Sequence, residues 1–184
     1  MSADPAPGRL IAVVGPSGVG KDSLIDALIV AHPNLGRARR VITRPAGSGD
    51  EAFDAVTEAD FTCRRAAGAF ALAWGAHGLF YGIPVETRAA VAAGAQLLAN
   101  LSRSVLAEAA TLYPALHVLS VTAPPELLVQ RLAGRGRESP DDIARRLARP
   151  APAPPPGVPL SAIENAGPIE AAAAAAAIAL GLVR

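Results

Sequence analysis

A short apolar run, Leu10-Ile11-Ala12-Val13-Val14, leads straight into Gly15-Pro16-Ser17-Gly18-Val19-Gly20-Lys21-Asp22-Ser23. Leu24, Ile25, Leu28 and Ile29 then follow at helical spacing. The apolar run, rich in β-branched residues, reads as a buried parallel strand. The order is therefore strand, glycine-rich turn, helix, which is the context a phosphate-binding loop requires. Glycines let successive backbone N–H groups turn inward around an anion, and the helix N-terminus adds its partial positive charge. A lysine closing the loop delivers a compact cation on a flexible stem to β- and γ-phosphates. Of the 17 basic residues 16 are arginine, and the one lysine is Lys21. Gly15, Pro16, Ser17, Gly18, Val19, Gly20, Lys21, Asp22 and Ser23 are thus expected to hold a nucleoside triphosphate, with Lys21 also catalytic.

The usual loop has Ser or Thr directly after the lysine, as a Mg²⁺ ligand. Here that place is taken by Asp22, and the serine comes one later, at Ser23. A carboxylate is also a hard oxygen ligand, so Asp22 and Ser23 are candidates for holding Mg²⁺. Equally, Asp22 reads as a first-turn acid complementing the helix dipole. A second buried strand is expected over 95–101, and its carboxyl end, where open α/β sheets bind ligands, carries Asn100-Leu101-Ser102-Arg103. A P-loop protein normally places an acid there, and Asn100 and Ser102 are neutral. The missing acid and the unusual Asp22 read as two halves of one arrangement.

The chain has 184 residues with a net charge of +1, which fits one domain and gives no field for gripping nucleic acid or an anionic membrane. No apolar run reaches the roughly 18–20 residues that span a bilayer. The start is polar and Pro-rich rather than signal-like, so a cytoplasmic location is expected. Cys63 is the single cysteine, which excludes an internal disulfide and a clustered-thiolate metal site. Aromatics make up only 4%, so the core must be mostly aliphatic and alanine. The oligomeric state is not legible, a homodimer included.

Further strands are expected at 116–121 and near Ser161-Ala162-Ile163. Pro125-Glu126 opens a helix with Leu127, Leu128 and Leu132 on its apolar face, and Pro168 opens an alanine-rich helix to Leu180 with an Ile169/Ile178/Leu182 packed edge. Six prolines between 150 and 159 read as a stiff connector. Trp74 and Phe80 are expected in the core. Arg37 and Arg39 read better as a solvated loop than as ligands. Arg44 closes the apolar Val41-Ile42 edge and suits a phosphate, and Glu51 suits a sugar hydroxyl or a positioning arginine. His77 is open between a donor to the ligand and an ordinary surface residue.

The loop, together with Val41-Ile42-Thr43-Arg44, Gly78-Leu79-Phe80-Tyr81-Gly82, Arg131 to Gly136, Ile143 to Leu147 and Glu164-Asn165-Ala166-Gly167, resembles the guanylate kinase family of P-loop kinases from about residue 9 to 180. Gly47 and Asn100 depart from it where that family carries an arginine and a guanine-reading acid. The set Gly20–Ser23, Ile42–Arg44, Leu72–Gly82, Asn100–Arg103 and Arg135–Glu138 is more similar to the related ribose 1,5-bisphosphate phosphokinase family.

That resemblance implies a three-layer α/β P-loop fold with a central parallel sheet, in which core segments 9–36, 92–130 and 160–184 carry an acceptor region at 37–91, an arginine-rich lid at 131–149 and the connector at 150–159. It implies ATP and Mg²⁺ as cofactors, a sugar bisphosphate as acceptor, and production of 5-phosphoribosyl 1-diphosphate alongside phosphonate breakdown. Carried over residue by residue, it makes Arg135 and Arg146 catalytic with Lys21, and places Arg131 and Asn165 against the nucleotide. It assigns Arg44, His77, Tyr81, Ser102, Arg103 and Arg137 to the acceptor, beside Glu51, which is a candidate on its chemistry. Among the lid arginines, Arg149 and one of Arg145 and Arg146 read as a salt-bridged helix face. The competing readings are a nucleoside monophosphate kinase and a non-catalytic guanylate-kinase-like binding module.

Overall fold

The computed structural model describes residues 8–45, 52–133 and 153–183. Its centre is a five-stranded, wholly parallel sheet built from β1 (Arg9–Val14), β2 (Leu35–Arg37), β7 (Gln96–Asn100), β8 (Leu116–Thr122) and β9 (Leu160–Glu164), in the order β2-β7-β1-β8-β9. The four strands expected from sequence are all present, each within a residue or two of the expected ends. Alternation along β1 divides the core. Ile11 and Val13 pack with Leu24, Ile25 and Leu28 of α1 (Lys21–Ala31) and with the last helix, α6 (Ile169–Ala179). Leu10, Ala12 and Val14 face the opposite way, onto Leu106 and Ala109 of α4 (Leu106–Leu112) and onto a second sheet.

That second sheet accounts for most of the acceptor region, which sequence alone gave only as loops and one strand edge. It comprises β3 (Arg40–Ile42), β4 (Phe53–Ala55), β5 (Phe70–Ala76) and β6 (Leu79–Pro84), in the order β4-β3-β6-β5. Strands β5 and β6 form an antiparallel hairpin, β3 adds antiparallel to β6, and β4 lies parallel to β3. Helix α2 (Glu58–Ala66) precedes the hairpin and α3 (Glu86–Ala92) follows it. Trp74 is buried as expected, inside the core between the two sheets. Phe80 is not: it is 38% exposed, because it points to the outer face of the hairpin, where it stacks on Phe61 of α2 at 5.7 Å.

Helix α5 (Pro125–Ala133) buries Leu128 and Leu132, with Leu127 half-buried. The final helix departs from expectation at one position. Its packed face is Ala172, Ala173, Ala176 and Ala177, with Ile169 and Leu182 partly buried beside them, whereas Ile178 is 68% exposed. Residue 178 follows Ala177 by 100° around the helix and so falls on the outer side. Small side chains on the inner side let α6 lie close against α1. The described part of the connector, 153–159, forms no helix, and the Pro159 carbonyl accepts a hydrogen bond from the Val118 N–H at 2.8 Å, leading the chain into β9.

At the amino-terminal end of the sheet, Arg9 donates from Nε to Gln96 Oε1 (2.9 Å) and from Nη2 to the Leu180 carbonyl (2.8 Å), fastening the end of α6 to β1 and β7. Close by in the same sheet, His117 on β8 shares a 2.9 Å hydrogen bond with Ser161 on β9. Burial, and secondly the positive Arg9, hold His117 below the usual histidine value of 6.5. The unfolded chain therefore takes up this proton more readily than the folded one, so stability rises with pH across this range and is lost as pH falls below about 6.5. The melting temperature should decline between pH 7 and pH 5, and His117→Gln, which keeps a partner for Ser161, should flatten that decline. An unchanged slope in the variant would remove His117 as its cause.

Candidate functional site

The loop between β1 and α1 is formed by backbone that has no room for side chains. At Gly15, with φ +154°, a Cβ would lie 2.4 Å from the Val121 carbonyl oxygen of β8. At Gly20, the residue before α1 with φ +88°, it would lie 2.5 Å from Asn165 Nδ2. Val19 between them is fully buried and anchors the loop in the core. Lys21 Nζ donates to the carbonyls of Gly15 (2.9 Å) and Pro16 (3.0 Å), which brings the ammonium across the mouth of the loop. Pro16 also accepts from the Val19 N–H at 3.4 Å, and Ser17 sits at the turn between them.

Asn165 lies just past β9 and is 4% exposed. Its Nδ2 donates to the Val19 carbonyl (2.8 Å), and its backbone N–H donates to Thr122 O (2.7 Å). The side chain expected against the nucleotide thus also braces the phosphate loop through Nδ2. Arg131, near the end of α5, donates to the Asn165 carbonyl at 3.2 Å. Gly18, Gly20, Ser23, Arg131, Asn165 and Gly167 line a cleft of about 370 Å³ on this side of the loop.

Asp22 turns the other way. Asn100, 7% exposed at the carboxyl end of β7, places Nδ2 2.9 and 3.0 Å from the two carboxylate oxygens of Asp22. Arg37, at the end of β2, has Nη1 3.9 Å from Asp22 Oδ1 and pairs through Nη2 with Asp26, one helical turn further along α1. The Asp22–Asn100 arrangement inferred from position is therefore a direct contact. Asp22 and Ser23, the two candidate metal ligands, face different sides of α1: Ser23 lines the cleft and Asp22 meets Asn100. Among the described residues no three His, Cys, Asp or Glu side chains gather to hold a metal. One partly exposed carboxylate still suits Mg²⁺, which keeps several waters and takes its other ligands from substrate phosphates. Arg37 was missed as a site residue. The i, i+4 spacing of Asp22 and Asp26 was the available signal, since it puts two acids on one helix face that needs a cation.

In the second sheet, the Arg44 guanidinium lies 4.3 Å from the centroid of the Phe53 ring, with Nε and Nη2 buried. Thr43 is laced to β6: its N–H donates to Phe80 O (3.1 Å), and its hydroxyl accepts from the Phe80 N–H (2.9 Å). Tyr81 stacks on Trp74 at 5.4 Å, and Arg40 lies 5.3 Å from the Tyr81 ring centroid. Arg39 is 55% exposed and paired to Asp54 at 2.7 Å, as a surface reading expects. His77 and Gly78 are the two central residues of the β5–β6 turn, both with positive φ (53° and 72°), which is the geometry of a type I′ hairpin. His77 is exposed at that tip.

Beyond β7, the Ser102 hydroxyl accepts from the Ser104 N–H at 3.3 Å and caps the short 3-10 turn Arg103–Val105. Arg103 reaches back over the sheet to Ser120 Oγ (3.4 Å), opposite Val14 and so beside the start of the loop, where burial lowers its pKa. Glu51, Arg135, Arg137 and Arg146, with Gly47, lie outside the described residues.

No family model matches the chain. Among curated proteins it is 49% identical over 169 residues to the ribose 1,5-bisphosphate phosphokinase of Ruegeria sp., covering 91% of this chain and 89% of that one. It is 46% identical over 170 residues to a bifunctional ribose 1,5-bisphosphokinase-thymidine phosphorylase of Cupriavidus necator, spanning 92% of this chain but 28% of the longer protein. Among solved structures, guanylate kinase from Anaplasma phagocytophilum superposes with a TM-score of 0.68 at 17% identity, covering 97% of this chain and 87% of the other. The fold is shared with guanylate kinase, and the sequence relationship is much narrower than the fold. At this identity over nearly its whole length, the chain belongs to the ribose 1,5-bisphosphate phosphokinase family.

Proposed function

We propose that this chain transfers the γ-phosphoryl group of ATP to the 1-phosphate of ribose 1,5-bisphosphate, giving 5-phosphoribosyl 1-diphosphate and ADP, alongside phosphonate breakdown. The observation that carries the acceptor is the 49% identity with a phosphokinase of that name over 91% of the chain. The loop geometry supports the donor independently, through inward backbone and a lysine held across its mouth.

An anionic oxygen of the acceptor's 1-phosphate attacks Pγ, the bond from Pγ to the bridging oxygen breaks, and ADP leaves with the electron pair. Such an oxygen is already deprotonated near neutral pH, so no general base is required. Catalysis then consists of positioning and charge neutralisation. The amides of Gly15 to Gly20 cradle the donor phosphates, and Lys21 swings from the Gly15 and Pro16 carbonyls onto the β- and γ-oxygens. Ser23 and Arg131 border the nucleotide cleft, and Asn165 keeps the loop in shape from behind. Asp22 would hold Mg²⁺, which when bound supplies positive charge to the donor phosphates. Arg44 and Tyr81 present the acceptor from the second sheet, and Arg103 lies between that sheet and the loop. Glu51 is assigned to the acceptor on the chemistry of its carboxylate, and Arg137 to the acceptor and Arg135 and Arg146 to the transferring group by resemblance.

The purified protein with ATP and Mg²⁺ should convert ribose 1,5-bisphosphate to 5-phosphoribosyl 1-diphosphate and form little GDP from GMP. Strong GDP formation would instead make it a nucleoside monophosphate kinase, and absence of ATP binding would make it a binding module. Lys21→Ala should lower kcat by about a hundredfold or more, the cost typical of losing one charge-stabilising donor. Arg44→Ala should mainly raise KM for the acceptor, and an equal fall in kcat would count against a binding role.

Asn165→Ala leaves the buried Val19 carbonyl without its partner, a loss of about 1–3 kcal/mol. Its melting temperature should fall and its KM for ATP rise together. A raised KM with unchanged melting would mean that Asn165 acts on the base directly.

A further inference from the structure

Two groups converge on Asp22 at the carboxyl end of the parallel sheet, and a third, Asp26, holds one of them. Asn100 reaches both carboxylate oxygens with one amide nitrogen, at 2.9 and 3.0 Å. The Arg37 guanidinium stands 3.9 Å from one of them and is paired more closely to Asp26. Asn100 is 7% exposed, and the Arg37 side chain 14%. The Asp22 side chain is 32% exposed, so part of it faces solvent.

The charges in this group do not cancel. One guanidinium serves two carboxylates, so an uncompensated negative charge remains. Asn100 leaves it in place, because a neutral amide orients a carboxylate without neutralising it. An acid at position 100 would instead put two carboxylates about 3 Å apart, where like charges repel and the contact that aims Asp22 is lost. An apolar residue there would leave Asp22 to swing toward Arg37. The amide is the side chain that aims Asp22 without adding or removing charge.

We infer that Asn100 is a positioning residue that holds the Asp22 carboxylate for the divalent cation accompanying ATP. In this chain the usual places of carboxylate and neutral oxygen are exchanged: the acid sits on the helix, and its neutral partner sits on the strand. Arg37 is shared with Asp26, to which it is held more closely than to Asp22. The inference rests on the reading of Asp22 as the residue that holds Mg²⁺.

The test is equilibrium binding of a fluorescent ADP analogue, with saturating Mg²⁺ and with EDTA, to the wild type, Asn100→Ala, Asp22→Asn and the exchange variant Asp22→Ser with Asn100→Asp. Asn100→Ala should bind the analogue in EDTA as the wild type does, and should lose about ten- to a hundredfold of the affinity gained with Mg²⁺, the usual cost of removing a group that orients a metal ligand. Asp22→Asn should lose the gain as well, and the exchange variant should recover part of it. Equal weakening of Asn100→Ala with and without Mg²⁺ would make Asn100 merely structural and overturn the inference. A full Mg²⁺ gain in Asn100→Ala alongside its loss in Asp22→Asn would overturn it while leaving Asp22 as the metal residue. A full gain in Asp22→Asn would remove the metal reading and this inference with it. If the alanine variant does not fold, Asn100→Ser, which removes the amide but keeps a small polar side chain, takes its place in the same comparison.

Discussion

The backbone of residues 15–20 is walled on two sides. The carbonyl of Val121 closes in on Gly15, and the amide of Asn165 on Gly20, each nearer than a Cβ could tolerate. Those contacts give the loop its inward-facing curve, and they depend on everything that sets the walls: β8 in register with β1, β9 in register with β8, and α1 against the alanines of α6. Positive φ at Gly15, Gly18 and Gly20 is what such a curve requires. The all-alanine inner face of the last helix belongs to the same constraint, since larger side chains there would push α6 away from α1.

The distribution of charge around that loop is asymmetric. On one side Ser23, Arg131 and Asn165 border a cleft; on the other, Asp22 is gripped by Asn100 with Arg37 and Asp26 alongside. Adjacent positions on a helix differ by 100°, so Lys21, Asp22 and Ser23 serve three directions from one turn. A change of one residue in this stretch therefore changes which partner is met as well as the chemistry offered. This is why a serine displaced by one position is not an equivalent serine.

The phosphate loop, the parallel strands and the final helix were legible because each depends on local pattern: a β-branched run, glycines at fixed spacing, a change from period two to period 3.6. The second sheet was not, since β3 and β4 are three residues each and pair across long separations, with no turn dipeptide to announce them. The Arg37 pairing and the second task of Asn165, bracing the loop, were not legible for a related reason. A lone arginine near a loop and an asparagine near a turn look like ligands or solvated groups until tertiary structure supplies Asp26 or the Val19 carbonyl. His77 and Phe80 are the converse: a scarce histidine and a scarce aromatic suggested contacts, and the hairpin turn and an outer sheet face account for them.

The hydrogen bond from Asn165 to Val19 spans 146 residues. A ribosome adding about 5–20 residues per second needs about 7–30 s to travel from one to the other. Throughout that interval the loop's glycines and lysine exist, yet the strand that braces them has not been made. The walls of the nucleotide-binding loop are thus made long after the loop itself. A nascent or truncated chain lacking β9 and α6 carries the whole phosphate-loop motif without the walls that shape it.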